Sequence, residues 1–283
     1  MLPTVDFCGL RVSRLIIGAN PFGGFSHQNK ERNREMVAYH TVDRILETWE
    51  RAKAASINTM VTNNETSHVV EAVKQHLAGR APLQWIAQVN DGKDGNMPDG
   101  IAKVVRLGCK AIYFHGMRVD SLHDEGDAAS LSRWCECVRA HGLPVGVAGH
   151  NPATHLWVDS LDLVDFHAVC FFNCGSVHAG EGERFRLRDM DAAISFIRDV
   201  RKPCIGHKNK EETLRHNRRC SAVGAKHVSL YTTLIRGSYR RCSVAEHRLR
   251  RNIRFFARQS PKASNMSAQG EPWGEAIKPT VAR

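Results

Sequence analysis

Six short apolar runs in this chain each give way to a polar residue. Leu15-Ile-Ile-Gly18, Trp85-Ile-Ala87, Ala111-Ile-Tyr-Phe114, Val145-Gly-Val-Ala148, Ala168-Val-Cys-Phe-Phe172 and Cys204-Ile-Gly206 lead into Asn20, Gln88, His115, His150, Asn173 and His207. Amphipathic stretches with helical spacing separate them, such as Val42, Ile45, Leu46 and Trp49 in one and Ile101, Val104 and Val105 in another. Short continuous apolar runs alternating with such stretches are the mark of βαβ units and a parallel sheet. An α/β fold follows, and the count of repeats predicts a (β/α)8 (TIM) barrel. In that architecture every strand opens at its C-terminal end on one face, where the polar residues converge into one basin.

The strands are expected at 15–19, 59–62, 83–89, 111–114, 144–148, 165–172, 203–206 and 227–231. Met1–Ser13 reads as a hairpin plugging the barrel floor. Ser67 is placed as a helix N-cap, Asn151 as the cap of a helix opened by Pro152, and Gly142 as the stop of a helix over 128–141. The stretch from Asn20 to Tyr39 reads as a long polar loop, and helices are expected over 189–200, 211–222 and 243–257.

At 283 residues, 42% of them hydrophobic, the chain suits a single barrel domain over residues 1–259. No apolar run is long enough to span a bilayer, and no charged and apolar leader opens the sequence. The nine cysteines lack regular spacing, and Cys8, Cys109, Cys170 and Cys204 sit in or beside apolar runs as small buried hydrophobes would. A reducing cytoplasm is the expected setting. The net charge of +11 is unevenly distributed: residues 1–200 hold 21 Lys and Arg against 24 Asp and Glu, and residues 201–283 hold 19 against 5. A solvated basic face explains this excess more simply than a nucleic-acid or anionic-lipid patch. Residues 260–283, rich in Ser, Pro, Gly and Ala, are expected to form a disordered tail, so the basic C-terminal extension is only partly folded.

Gly9-Leu-Arg-Val-Ser-Arg-Leu-Ile-Ile-Gly18 with Phe22-Gly-Gly24, Ala54-Ala-Ser-Ile-Asn-Thr-Met60 and Tyr113-Phe-His115 resemble the first, second and fourth strand regions of aldo-keto reductases. The resemblance implies a barrel oxidoreductase using NAD(P)H, with a catalytic tetrad of Asp, Tyr, Lys and His. Matched residue by residue, the Asp position falls on Val61, or is missing if the register slips by one, the Lys position falls on Gln88, no Tyr stands in Asn63–Ser67, and His115 is retained. The segment Gly206–Asn217 is faintly similar to the family's cofactor-phosphate stretch, one strand early.

The residues themselves point to acid–base chemistry on a small polar, carbonyl-bearing or sugar-like substrate. His115, His150 and Lys208 are the expected catalytic groups, because imidazole titrates near neutrality and a lysine can stabilise developing negative charge or act as an amine. Asn20, Glu65, Gln88, Asn173 and His207 are expected to bind substrate. Two alternatives stand beside this: an NAD(P)H-dependent carbonyl reductase with a rebuilt proton donor, and a non-catalytic binding protein whose basic C-terminal segment contacts a polyanion. Glu65, His115, His150 and His207 could also hold a divalent metal, although no tight metal motif such as H-E-x-x-H occurs. The sequence specifies no oligomeric state.

Overall fold

The fold is seen in a computed structural model that describes residues 2–26, 30–91, 95–171, 187–207 and 234–235. It opens with an antiparallel hairpin of β1 (Thr4–Phe7) and β2 (Leu10–Ser13), in register Phe7↔Leu10. Its two-residue turn has φ of 52° at Cys8 and 81° at Gly9. Positive φ at both positions is what a tight hairpin turn needs, and Gly9 meets that requirement at no steric cost. Phe7 is fully buried and packs against Phe166, with ring centroids 4.9 Å apart. Phe166 opens a barrel strand, so the hairpin closes the N-terminal end of the barrel as a floor plug.

The segment from Leu15 to Ala19 then runs parallel to β3 (Thr59–Asn63): the Ile17 amide donates to the Thr59 carbonyl at 3.1 Å and the Val61 amide donates to the Ile17 carbonyl at 2.8 Å. Parallel strands continue in sequence order through β4 (Gln84–Val89), β5 (Ala111–Phe114), β6 (Val145–Gly149), β7 (Phe166–Cys170) and β8 (Cys204–His207). The last described strand, β9 (Leu234–Ile235), pairs antiparallel with β8. Two residues are too few to leave a periodicity signal, and the sequence gives no hint of it. The strand expected at 227–231, the helices expected at 211–222 and 243–257, and the tail from 260 onward lie outside the described residues.

The helices between strands are α1 (Lys30–Tyr39), α2 (Val42–Ala54), α3 (Ser67–Ala78), α4 (Met97–Leu107), α5 (Gly116–Glu125), α6 (Ala128–Arg139), α7 (Pro152–Leu161) and α8 (Leu187–Asp199). Two were not expected. α1 occupies part of what reads as a polar loop and buries none of its residues, so it has no apolar stripe to detect. α5 buries only Gly116, Val119 and Leu122. Thr41, Asn96, Asp127 and Asn151 cap α2, α4, α6 and α7 through their side chains. Ser67 is already helical; the cap position is Thr66, and Asn63 Oδ1 takes the amides of Glu65 and Thr66 at 3.0 and 2.9 Å. No described helix is long and apolar enough to cross a membrane.

Strand alternation sorts the core into two layers. Trp85, Ala87, Val89, Ile112, Phe114, Val145 and Val147 face the helices, whereas Ile86, Ala111, Tyr113, Ala148, Phe166, Ala168 and Ile205 fill the barrel interior with Phe7 and Val12 from the plug. Gly146 belongs to the interior set, because a Cβ there would sit 2.5 Å from the Phe166 ring. The same alternation, carried one or two residues past each strand, decides which polar groups reach the mouth.

Candidate active site

The inward-facing positions at the strand C-termini enclose a cavity of about 240 Å³. That lies below the roughly 300–1,000 Å³ typical of drug-sized ligand pockets and suits a small molecule. Asn20, Glu65, Gln88, His115, His150 and His207 all line it, so six residues from separate parts of the sequence share one basin. Asn173 and Lys208 lie outside the described residues.

His115 and His150 are held differently. His115 is the N-cap of α5, its Nδ1 accepting the Met117 amide at 3.3 Å. The imidazole therefore already has a structural task at one nitrogen. His150 stands one residue beyond β6, and its Nδ1 meets Asp120 Oδ2 at 2.7 Å. Its backbone amide donates to the same carboxylate at 3.2 and 3.3 Å, and Thr154 Oγ donates to Asp120 Oδ1 at 2.8 Å. Burial alone would raise the Asp120 pKa, but the hydrogen bonds and charge of His150, with those of Thr154 and the backbone, hold the carboxyl below its ordinary range. Gly116 makes this approach possible: a Cβ there would lie 2.9 Å from His150 Cε1. The result is a carboxylate–imidazole pair in the mouth, with the first turn of α5 packed against the ring.

Gln88 and Tyr113 are neighbours on β4 and β5, and the Tyr113 hydroxyl donates to Gln88 Oε1 at 3.0 Å. Burial, and then the nearby Cys170 thiol, push the Tyr113 pKa up, so this phenol keeps its proton. Cys170 and His207 are register partners on β7 and β8, with Sγ 3.2 Å from Nε2. At the rim, both Glu65 oxygens accept from Asn90 Nδ2 at 3.2 Å, and Arg118 pairs with Asp91 at 2.6 Å. Glu65 is thereby tied to the edge of the basin. Among the described residues no three His, Cys, Asp or Glu groups come together so as to hold a metal ion.

Three lining or supporting groups escaped sequence reasoning. Asp120 follows His115 by five residues, but α5 itself was unrecognised. Tyr113 is inward because His115, two residues on, is inward, a parity signal that was available. Cys170 reads as a buried hydrophobe, yet the structure places it at the cavity wall beside an imidazole.

The class defined by this fold is a (β/α)8 barrel. A solved structure provisionally named an aldo-keto reductase, from Pseudomonas aeruginosa, superposes with a TM-score of 0.55 at 16% identity, over 90% of this chain and 93% of that one. A provisionally named deoxyribose-phosphate aldolase from Coccidioides immitis gives 0.45 at 12% identity, over 67% and 75%. No family model and no curated protein matches by sequence. The shared fold does not bring the reductase chemistry with it. Val61 and Gln88 occupy the inward positions where the resemblance implies Asp and Lys, and both line the cavity with His115. An aliphatic group and a neutral amide cannot adjust the pKa of a phenolic proton donor as a carboxylate and an ammonium do. Of the tetrad that the resemblance implies, the described cavity lining keeps His115 and replaces the Asp and Lys positions with Val61 and Gln88.

Proposed function

We propose that this chain is an acid–base enzyme acting on a small polar, carbonyl-bearing or sugar-like substrate in the barrel mouth. The Asp120–His150 pair carries the reading. A carboxylate 2.7 Å from Nδ1 fixes the ring's orientation and tautomer, keeping a proton on Nδ1 and making Nε2 the basic nitrogen. Such a base removes a proton from carbon beside a carbonyl, or from a hydroxyl, and returns it in a later step. His115 serves as the second proton-transfer group from the adjacent strand. Gln88 and Asn20 orient hydroxyls by hydrogen bonding, and Glu65 and His207 complete the polar wall. Lys208, which follows His207 in the chain, and Asn173 keep their sequence-based assignments to anion stabilisation and substrate binding.

The test is solvent deuterium incorporation, followed by NMR, into a panel of short hydroxyaldehydes, ketoses and aldoses. Incorporation next to the carbonyl that disappears in His150→Gln supports the reading. No incorporation across the panel, or incorporation indifferent to His150→Gln, overturns it. The alternative is an NAD(P)H-dependent carbonyl reductase with a rebuilt proton donor. NADPH absorbance with simple aldehydes separates the two: weak or no oxidation is expected, and robust oxidation abolished by His115→Ala would favour the reductase.

A further inference from the structure

The Cys170–His207 pair has a chemistry of its own. The two residues face each other in register on β7 and β8, both on the inward side, with Sγ 3.2 Å from Nε2 and both lining the cavity. A thiol within hydrogen-bond reach of an imidazole is the arrangement that activates sulfur as a nucleophile. Cys109 and Cys135, also buried, have no such neighbour among the described residues; burial pushes each thiol up to about 12. We infer that Cys170 is a covalent capture site for small aldehydes, with His207 as its proton carrier. The Cys170 S–H proton passes to His207 Nε2 as sulfur adds to the carbonyl carbon. A C–S bond forms, the C=O π bond opens, and the proton moves from His207 to the new alkoxide, giving a neutral hemithioacetal. The step is redox-neutral, reverses by the same path and fills the small cavity while it lasts. A hydroxylated aldehyde matches the wall best, because the Gln88 amide and the His115 ring supply hydrogen-bonding groups there. Capture requires neither Asp120 nor His150, so this inference stands apart from the acid–base reading.

The experiment is alkylation of the full chain with iodoacetamide over a range of pH, with each cysteine followed by peptide mass spectrometry. Near neutral pH Cys170 should react at least about tenfold faster than Cys109 and Cys135, with a rate that levels off below the ordinary thiol range near 8.5. His207→Gln should cut that rate by about tenfold, with folding checked by thermal melting. Glycolaldehyde should protect Cys170, and carbonyl-13C glycolaldehyde should show a hemithioacetal carbon signal that is lost in Cys170→Ser and kept in His150→Gln. A wild-type profile that keeps rising through the ordinary thiol range, reactivity no greater than that of Cys109, or full reactivity without aldehyde protection would each overturn the assignment. Because the wild-type profile and the protection assay need no variant, the inference can fail even if His207→Gln does not fold.

Discussion

Two sets of imidazoles on neighbouring elements of the barrel have opposite surroundings. His150, just past β6, and His207, the last residue of β8, line a cavity and are partnered by Asp120 and Cys170. His167 on the outward side of β7 and His155 on α7 are instead buried together between sheet and helix. Their Nδ1 atoms are 3.2 Å apart, His155 Nε2 meets the Gly149 carbonyl at 3.3 Å, and the Phe196 ring of α8 packs against both at 5.2 Å. Burial pushes both down to about 3, helped by each other's proximity for His155 and by Lys202 for His167. Gly149 accommodates this layer, since a Cβ there would lie 3.0 Å from His155 Nε2. Along β7, the parity that sends His167 outward into the packed layer sends Cys170 inward to the cavity wall.

The comparison breaks most readily at the mouth. His150→Gln should lower deuterium exchange by about 10³-fold, the range expected for removing a general base. Melting temperature should change little. Asp120→Asn should come next, at about 10²-fold, because the amide leaves the ring in place but can no longer favour the Nδ1-protonated tautomer. If Asp120→Asn matches wild type, the carboxylate is a helix-packing group and the mouth pair is no different in kind from the buried one.

Much of the barrel was legible because continuous apolar runs bounded by turn residues leave few alternatives: β5 falls at the expected residues, and β4, β6, β7 and β8 within two of them. The polar residue after each run was legible for the same reason, which is why Gln88, His115, His150 and His207 could be singled out. The buried pair was not. His155 and His167 sit inside apolar elements with no motif, and a strand buried on both faces does not reveal which of its residues point inward. Cys170 and His167 belong to one five-residue strand, and only the structure separates a cavity thiol from a packed imidazole. Asp120 was hidden by a short helix without an apolar stripe.

Acid should test the buried layer next. In the unfolded chain an imidazole takes up its proton near 6.5, whereas the native His155 and His167 resist until about 3. The unfolded state therefore binds more protons throughout that window, and stability falls with falling pH. The stabilisation is fully present above 6.5 and lost progressively towards about 3. Asp120, whose native pKa is lowered, adds a loss of the same sign below the ordinary carboxylate value. Thermal melting across this range should show a plateau above 6.5 and a decline below it, and His155→Gln should make the decline shallower by removing one titrating group. A flat profile would mean that the pair is solvated and protonates freely.

The smallest effect concerns His115, which belongs to both worlds. As the N-cap of α5 it accepts the Met117 amide through Nδ1, and it also lines the cavity, where a second proton transfer is proposed for it. The two tasks separate by choice of substitution. Asparagine is among the best N-cap residues, so His115→Asn should keep the cap and hold stability within a few tenths of a kcal/mol, whereas His115→Ala loses the acceptor and should cost about 1 kcal/mol. Both remove the imidazole, so both should lower deuterium exchange equally. Denaturant titration reads the first difference and NMR exchange the second. If His115→Asn restores exchange along with stability, His115 acts only by capping α5 and thereby placing Asp120 against His150, and the proton transfers of the mouth rest on His150 alone.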